Sequence, residues 1–200
     1  MTAEAAKLPV ILVFGDSLSA GYGIKIEQSW PNLLQQRLGK TYQVINASQS
    51  GETTAGGLTR LPDILKRYQP NIVILQLGAN DGLLGLPLQQ AQHNLNTMIQ
   101  LSKTKKAKVL LVAMQLPPNW GEQYTHDFRH MYEQLAQRHR LIAPPFLLAN
   151  VAQHPELFQA DQLHPTAQAQ PKLLDNIWKP LQKLLTHRQK SRYHRKSSSH

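Results

Sequence analysis

The strongest constraint on this chain is a set of short, unbroken apolar runs. Residues 10–14, 72–77 and 109–114 are rich in aliphatic, largely β-branched side chains and do not alternate with polar ones. A strand with one wet face alternates, so unbroken runs of this length mark strands covered on both faces. Residues 42–47 form a weaker fourth strand. Residues 141–148 offer a fifth, which Pro144 and Pro145 push towards a sheet edge or irregular structure. Helical periods lie between the runs. Leu58, Leu61, Leu65 and Tyr68 recur at three- and four-residue steps, as do Leu95, Met98 and Ile99. Leu174, Ile177, Trp178, Leu181 and Leu185 repeat the pattern near the end, where Pro180 is expected to bend or split the helix. Strand–helix alternation predicts an α/β domain, with a mainly parallel sheet of about five strands between two helical layers.

With 200 residues the chain makes one ordinary domain and can bury a full core. It has no cysteine, which excludes a disulfide framework, a thiol nucleophile and thiolate zinc sites. No run approaches the length of a membrane-spanning helix. A net charge of +10 would ordinarily raise a nucleic-acid hypothesis. Its distribution argues otherwise. The last acidic residue is Asp175, and seven lysines and arginines follow it. The preceding body holds fifteen basic residues against all twelve acids. Residues 1–187 therefore read as the folded domain. Residues 188–200 read as a basic tail, with too little apolar surface to offset its ordering entropy.

In parallel α/β sheets, ligands sit beyond the carboxyl ends of the strands. The segments just after the apolar runs are therefore the places where chemistry is expected. The first is Gly15-Asp16-Ser17-Leu18-Ser19, which puts a serine at the start of a helix, where backbone N–H groups are free. The second is Asn46-Ala47-Ser48-Gln49-Ser50-Gly51-Glu52-Thr53-Thr54, where Gly51 allows close backbone approach to a ligand. Gly51 to Gly57 imitates half a phosphate loop, but a glycine stands where that loop needs lysine. The third is Gly78-Ala79-Asn80-Asp81-Gly82, whose asparagine amide can donate to an oxyanion without adding charge. The last is Asp161-Gln162-Leu163-His164-Pro165, in which a carboxylate can orient the imidazole of a general base. Each segment alone also serves as an ordinary cap or turn. Together they supply a nucleophile, backbone and amide donors and an oriented base. His126 and His130 share a helical face at metal-ligand spacing but lack a third ligand, and Asp16 and Asp81 have no surrounding ligand pattern. Asp16 reads instead as a cap that fixes the turn before the serine.

With these blocks in place, the chain resembles the SGNH, or GDSL, hydrolases, and within them the bacterial multifunctional thioesterase I, arylesterase and lysophospholipase group. The likeness runs over residues 8–185. It includes lesser matches at Ser29-Trp30-Pro31, Arg60-Leu61-Pro62 and Leu116-Pro117-Pro118-Asn119. The resemblance implies a flavodoxin-like three-layer sandwich. It implies Ser17 as nucleophile, His164 as base and Asp161 as the orienting carboxylate. It also implies an oxyanion hole from the Ser17 and Gly51 N–H groups and the Asn80 side chain. No Gly-x-Ser-x-Gly elbow is present, which sets the chain apart from ordinary α/β-hydrolases.

The expected activity is hydrolysis of acyl esters and thioesters through an acyl-enzyme, with no metal or organic cofactor. Leu83, Leu84 and Leu86, followed by Pro87 and Leu88, are expected to wall an acyl groove. A carbohydrate O-acetyl esterase is the alternative within the family. A binder of anionic lipid or nucleic acid through the tail is the alternative of another class. The expected partner is a small acyl substrate, handled by a monomer, with surface contact through the tail and no specific nucleic acid. The resemblance favours a periplasmic protein. The opening Met1-Thr2-Ala3-Glu4-Ala5-Ala6-Lys7 has no apolar leader core, so a chain native in this form would stay in the cytoplasm.

Overall fold

The computed structural model describes residues 7–185, and the basic tail at 188–200 lies outside them. One parallel sheet has the order β2-β1-β3-β4. The strands are β1 (Val10–Gly15), β2 (Gln43–Asn46), β3 (Ile72–Gln76) and β4 (Lys108–Leu111). Ile11 pairs with Val44 on one side and Ile72 on the other, and Ile72 pairs onward with Lys108. Every residue of β1 and β3 is buried, which is why these strands read as unbroken apolar runs.

The helices are α1 (Ser17–Ala20), α2 (Trp30–Leu38), α3 (Thr54–Tyr68), α4 (Ala79–Leu83), α5 (Leu88–Thr104), α6 (Glu122–His139) and α7 (Gln170–Gln182). The chain steps outward from β1 to β2, then back across to β3 and on to β4. Right-handed crossovers send the first connection to one face and the later ones to the other. Accordingly α2 packs against α7, while α5 packs between α3 and α6. The connections leaving β1 and β3 therefore part to opposite faces, and a crevice opens beyond the carboxyl ends of those two strands.

Two sequence expectations need correction. The sheet has four strands, because the fifth is reduced to a single parallel bridge between Ala113 and Phe146. Ala113 N–H donates to the Pro145 carbonyl and Leu147 N–H returns to Ala113. Pro144 and Pro145 have no N–H with which to extend the ladder, and the chain turns at once, with Ala149 N–H donating to Phe146. The last helix is not split by Pro180, since α7 runs through it to Gln182. Leu173, Leu174, Ile177 and Leu181 are buried on its inner face and hold it in place.

The open edge of β2 is also occupied. Gln35 of α2 accepts from Val44 N–H at 2.7 Å and donates to the Tyr42 carbonyl at 3.0 Å. Its amide thus takes the place of a peptide unit from a further strand.

Gly78 joins β3 to α4 at φ +113°, a region that L side chains rarely adopt. A Cβ there would lie 2.4 Å from the Tyr132 hydroxyl, which is buried and donates to the Leu77 carbonyl. We expect Gly78→Ala to destabilise the fold by about 2 kcal/mol or more, combining left-handed strain with overpacking. Gly39→Ala, at φ +56° with open space around the Cβ, should cost about 1 kcal/mol from strain alone. Urea midpoints of the two variants would test this, and equal losses would contradict it.

Candidate active site

Ser17 follows β1 as the first residue of α1. Asp16 caps that helix: its side chain accepts from Leu18 N–H at 3.0 Å, and its carbonyl accepts from Ser19 and Ala20. The Ser17 N–H has no acceptor among the described residues. The turn is anchored from β3, because buried Gln76 accepts from the Ser19 hydroxyl at 2.6 Å.

His164 reaches Ser17 across 147 residues of sequence. Its Nε2 lies 2.9 Å from Ser17 Oγ, and its Nδ1 lies 2.7 Å from Asp161 Oδ2. Asp161 Oδ1 accepts from the Leu163 and His164 N–H groups at 2.9 and 3.0 Å. These bonds to the His164 N–H and ring and to the Leu163 N–H lower the carboxyl from 3.8 to about 2. An ionised carboxylate can only accept, so Nδ1 carries the proton and Nε2 is left to accept from the Ser17 hydroxyl. Gln159 staples this loop to the first block. Its side chain donates to the Tyr22 and Pro165 carbonyls, and its N–H donates to the His164 carbonyl. The Tyr22 ring lies 4.3 Å from the imidazole, centroid to centroid.

Asn80 follows β3 in α4 and lines the cleft with Ser17 and His164. Its amide donates to the Glu52 carbonyl at 2.8 Å, which leaves one N–H for a ligand. Gly51 sits beside Glu52 at φ +76°, and its N–H has no acceptor among the described residues. Gly51 stands at the exposed edge of this arrangement and does not line the cleft.

The cleft has a volume of about 470 Å³. Of the leucines expected to wall it, Leu83 does so. Leu84 and Leu86 do not, and both are exposed. Met114, Leu116, Phe146, Leu148, Phe158 and Leu163 supply the apolar walls instead. Met114 and Leu116 follow β4, where the strand-end rule points. Phe146 and Leu148 fall in the run read as a fifth strand and Leu163 in the block of His164, but nothing in the sequence marks these side chains, or Phe158, as cleft walls. Among the described residues, no group of three or more histidines and carboxylates could hold a metal, and His126 and His130 pair with Asp127 and Glu133 on an exposed face.

With this geometry established, comparison with known proteins places the chain. Residues 13–170 match the GDSL-like lipase/acylhydrolase family. The chain is 44% identical over 185 residues to esterase TesA of Pseudomonas aeruginosa, covering 91% of this chain and 92% of that protein. It is 40% identical over 187 residues to thioesterase 1/protease 1/lysophospholipase L1 of Escherichia coli, covering 94% and 90%. The crystal structure of the psychrotrophic esterase EstA from Pseudoalteromonas, inhibited by monoethylphosphonate, superposes with a TM-score of 0.82 at 37% identity, over 87% of this chain and 97% of that one. The chain belongs to the GDSL-like lipase/acylhydrolase family. The Pseudomonas and Escherichia relatives are bacterial and are matched over nine-tenths or more of their own length.

Asp16 carries a feature that its place in the sequence does not reveal. Burial pushes its carboxyl up from 3.8 to about 6, against the Leu18 N–H, the Gln76 amide and His164, which favour the charged form. One of its oxygens has no hydrogen-bond partner among the described residues. The folded state therefore holds a proton between about pH 4 and 6 that the unfolded chain has released. Asp16 by itself therefore contributes stability that is present below about pH 4 and lost as pH rises to about 6, on the order of 3 kcal/mol at about 1.4 kcal/mol per pH unit. We expect Asp16→Asn, which keeps an acceptor for Leu18, to flatten this fall. Urea midpoints of both proteins from pH 4 to 7 would show it, and parallel curves would contradict the assignment.

Proposed function

We propose that the protein is a serine esterase and thioesterase that works through an acyl-enzyme. The continuous line Asp161–His164–Ser17, with contacts of 2.7 and 2.9 Å, carries this reading. His164 Nε2 takes the Ser17 proton as Oγ bonds to the acyl carbon. The carbonyl oxygen becomes an oxyanion, held by the Ser17 N–H, the Gly51 N–H and the free Asn80 N–H. The imidazolium is stabilised by Asp161 and gives its proton to the departing alcohol or thiol. Water then enters and loses a proton to His164, and the same steps release the carboxylic acid and restore Ser17.

The apolar walls around Leu83, Leu116 and Phe146 support medium-chain acyl groups as substrates, and a cleft of about 470 Å³ suits a ligand of that size. A carbohydrate O-acetyl ester would leave those walls unused. The same reading has the protein act as a monomer on small acyl esters and thioesters, without a cofactor.

We expect Ser17→Ala to abolish labelling by a fluorophosphonate together with ester turnover. Normal turnover in that variant would reject the nucleophile. Asn80→Ala should lower kcat by roughly 100- to 1000-fold, the usual cost of one oxyanion donor. On a p-nitrophenyl ester series, kcat/KM should rise from acetyl towards octanoyl. A sharp preference for acetyl would reject the acyl groove and favour the O-acetyl esterase.

A further inference from the structure

The Arg60-Leu61-Pro62 motif has no place in the chemistry above, yet Arg60 touches several of the segments that build the site. It stands in α3, facing back towards the loop between β2 and α3. Its Nε donates to the Glu52 carboxylate and its Nη2 donates to the Ala47 carbonyl at 3.1 Å. Its guanidinium carbon lies 5.0 Å from the centroid of the Phe14 ring, in the strand that delivers Ser17. Glu52 is buried, and its carbonyl is the acceptor that fixes the Asn80 amide.

We propose that Arg60 is a positioning residue for the oxyanion donors, acting through Ala47 and Glu52 at the two ends of the loop that carries Gly51. The loop's C-terminal end is anchored where Thr53 caps α3 and Thr54 bonds Asp81, but the peptides between are held more lightly. Besides the Asn80 amide on the Glu52 carbonyl, their ties are Ala47 N–H to Val13, Gln49 N–H to Gly15, Glu52 N–H to Gln49 and an Asn46 side chain on Ser48. Gly51 has no Cβ and no neighbour within 4 Å of where one would stand, so packing does not fix its peptide. Holding Ala47 and Glu52 on one rigid group sets the direction of the Gly51 N–H. The grip on Glu52 also sets the height of the carbonyl on which Asn80 rests. A planar fork serves a carboxylate, a carbonyl and an aromatic face at once, which the single ammonium of lysine does not.

This inference rests on the oxyanion hole proposed above, and the test separates the two. kcat and KM for p-nitrophenyl octanoate would be measured for Arg60→Lys, Arg60→Met, Asn80→Ala and the Arg60→Met/Asn80→Ala double variant, with urea midpoints for each. Misplacement of reacting groups by about 1 Å can cost on the order of 100-fold. Arg60→Met is therefore expected to lower kcat by about 10- to 100-fold with KM within about twofold, and Arg60→Lys to recover little of the loss. In the Asn80→Ala background, Arg60→Met should cost only about threefold more, because groups acting as a unit are not additive. Should Arg60→Met fail to fold, Arg60→Lys and its double variant with Asn80→Ala decide the matter. Unchanged kcat in a folded Arg60→Lys, or a full additive loss in the double variant, would overturn the proposal while a crippled Asn80→Ala left the oxyanion hole standing. An unimpaired Asn80→Ala would remove the hole itself, and this role of Arg60 with it.

Discussion

The buried carboxylate of Asp81 is the contact through which the separate strand-end loops become one site. One oxygen accepts from the Thr54 N–H at 2.9 Å and the other from the Thr54 hydroxyl at 2.6 Å. Asn94 of α5 then donates to the same hydroxyl, and Gln90 donates to Asn94. Burying an aspartate is costly unless its lone pairs find donors, and here both oxygens do. The benefit is geometric. Asp81 is the neighbour of Asn80, and Thr54 begins the helix that closes the loop of Gly51. Two donors drawn from different strand ends are thereby held in one frame. Sheet pairing alone would leave the loops beyond the strands free to drift.

The nucleophile and base solve the same problem differently. Ser17 stands at the head of the central strand pair, where capping by Asp16 and the bond from Ser19 to Gln76 leave its turn little freedom. His164 stands on a loop with no sheet beneath it. Its position comes from a compact set of local bonds: Asp161 turns back on Leu163 and His164, and Gln159 bridges to Tyr22. Preorganisation on one side is inherited from the sheet, and on the other it is built from side-chain amides and a carboxylate.

Much of this architecture is legible in the order of the residues alone. Strands buried throughout, as β1 and β3 are, or past an exposed first residue, as β4 is after Lys108, leave no alternation to misread, and strand-end topology points to the segments holding Ser17, Asn80 and Met114. The three-residue step from Asp161 to His164 spans a turn, so their contact is readable too. The departures have a common origin. Leu84 and Leu86 sit beside Leu83 in sequence, but the short α4 ends between them and the cleft, and composition cannot show which way a loop leucine faces. The fifth strand fails because two adjacent prolines remove donors that its apolar side chains cannot replace. Asp16 reads correctly as a cap, but its raised protonation range depends on total burial, a property of the assembled layers. Arg60 stands out in the sequence only as part of the Arg60-Leu61-Pro62 match, with no role to read from it, because its partners lie eight and thirteen positions back and meet it only through the fold of the loop.

The two ends of the sheet bear on how this molecule behaves in company. A parallel sheet of four strands has two borders, and each unpaired border invites a strand from another molecule. On the β2 side, Gln35 presents an amide to Val44 and Tyr42, so the docking positions there are already taken by a group that cannot propagate a ladder. On the β4 side, the prolines before Phe146 let the chain touch Ala113 and then refuse further pairing. The amide of Gln35 thus blocks part of the β2 border, and the chain around Phe146 meets the sheet only at Ala113, just past the end of β4. In a crowded solution a strand from another molecule would find its docking positions at Val44 and Tyr42 already taken, so the β2 edge is a poor template for cross-molecular β-structure beside the apolar cleft.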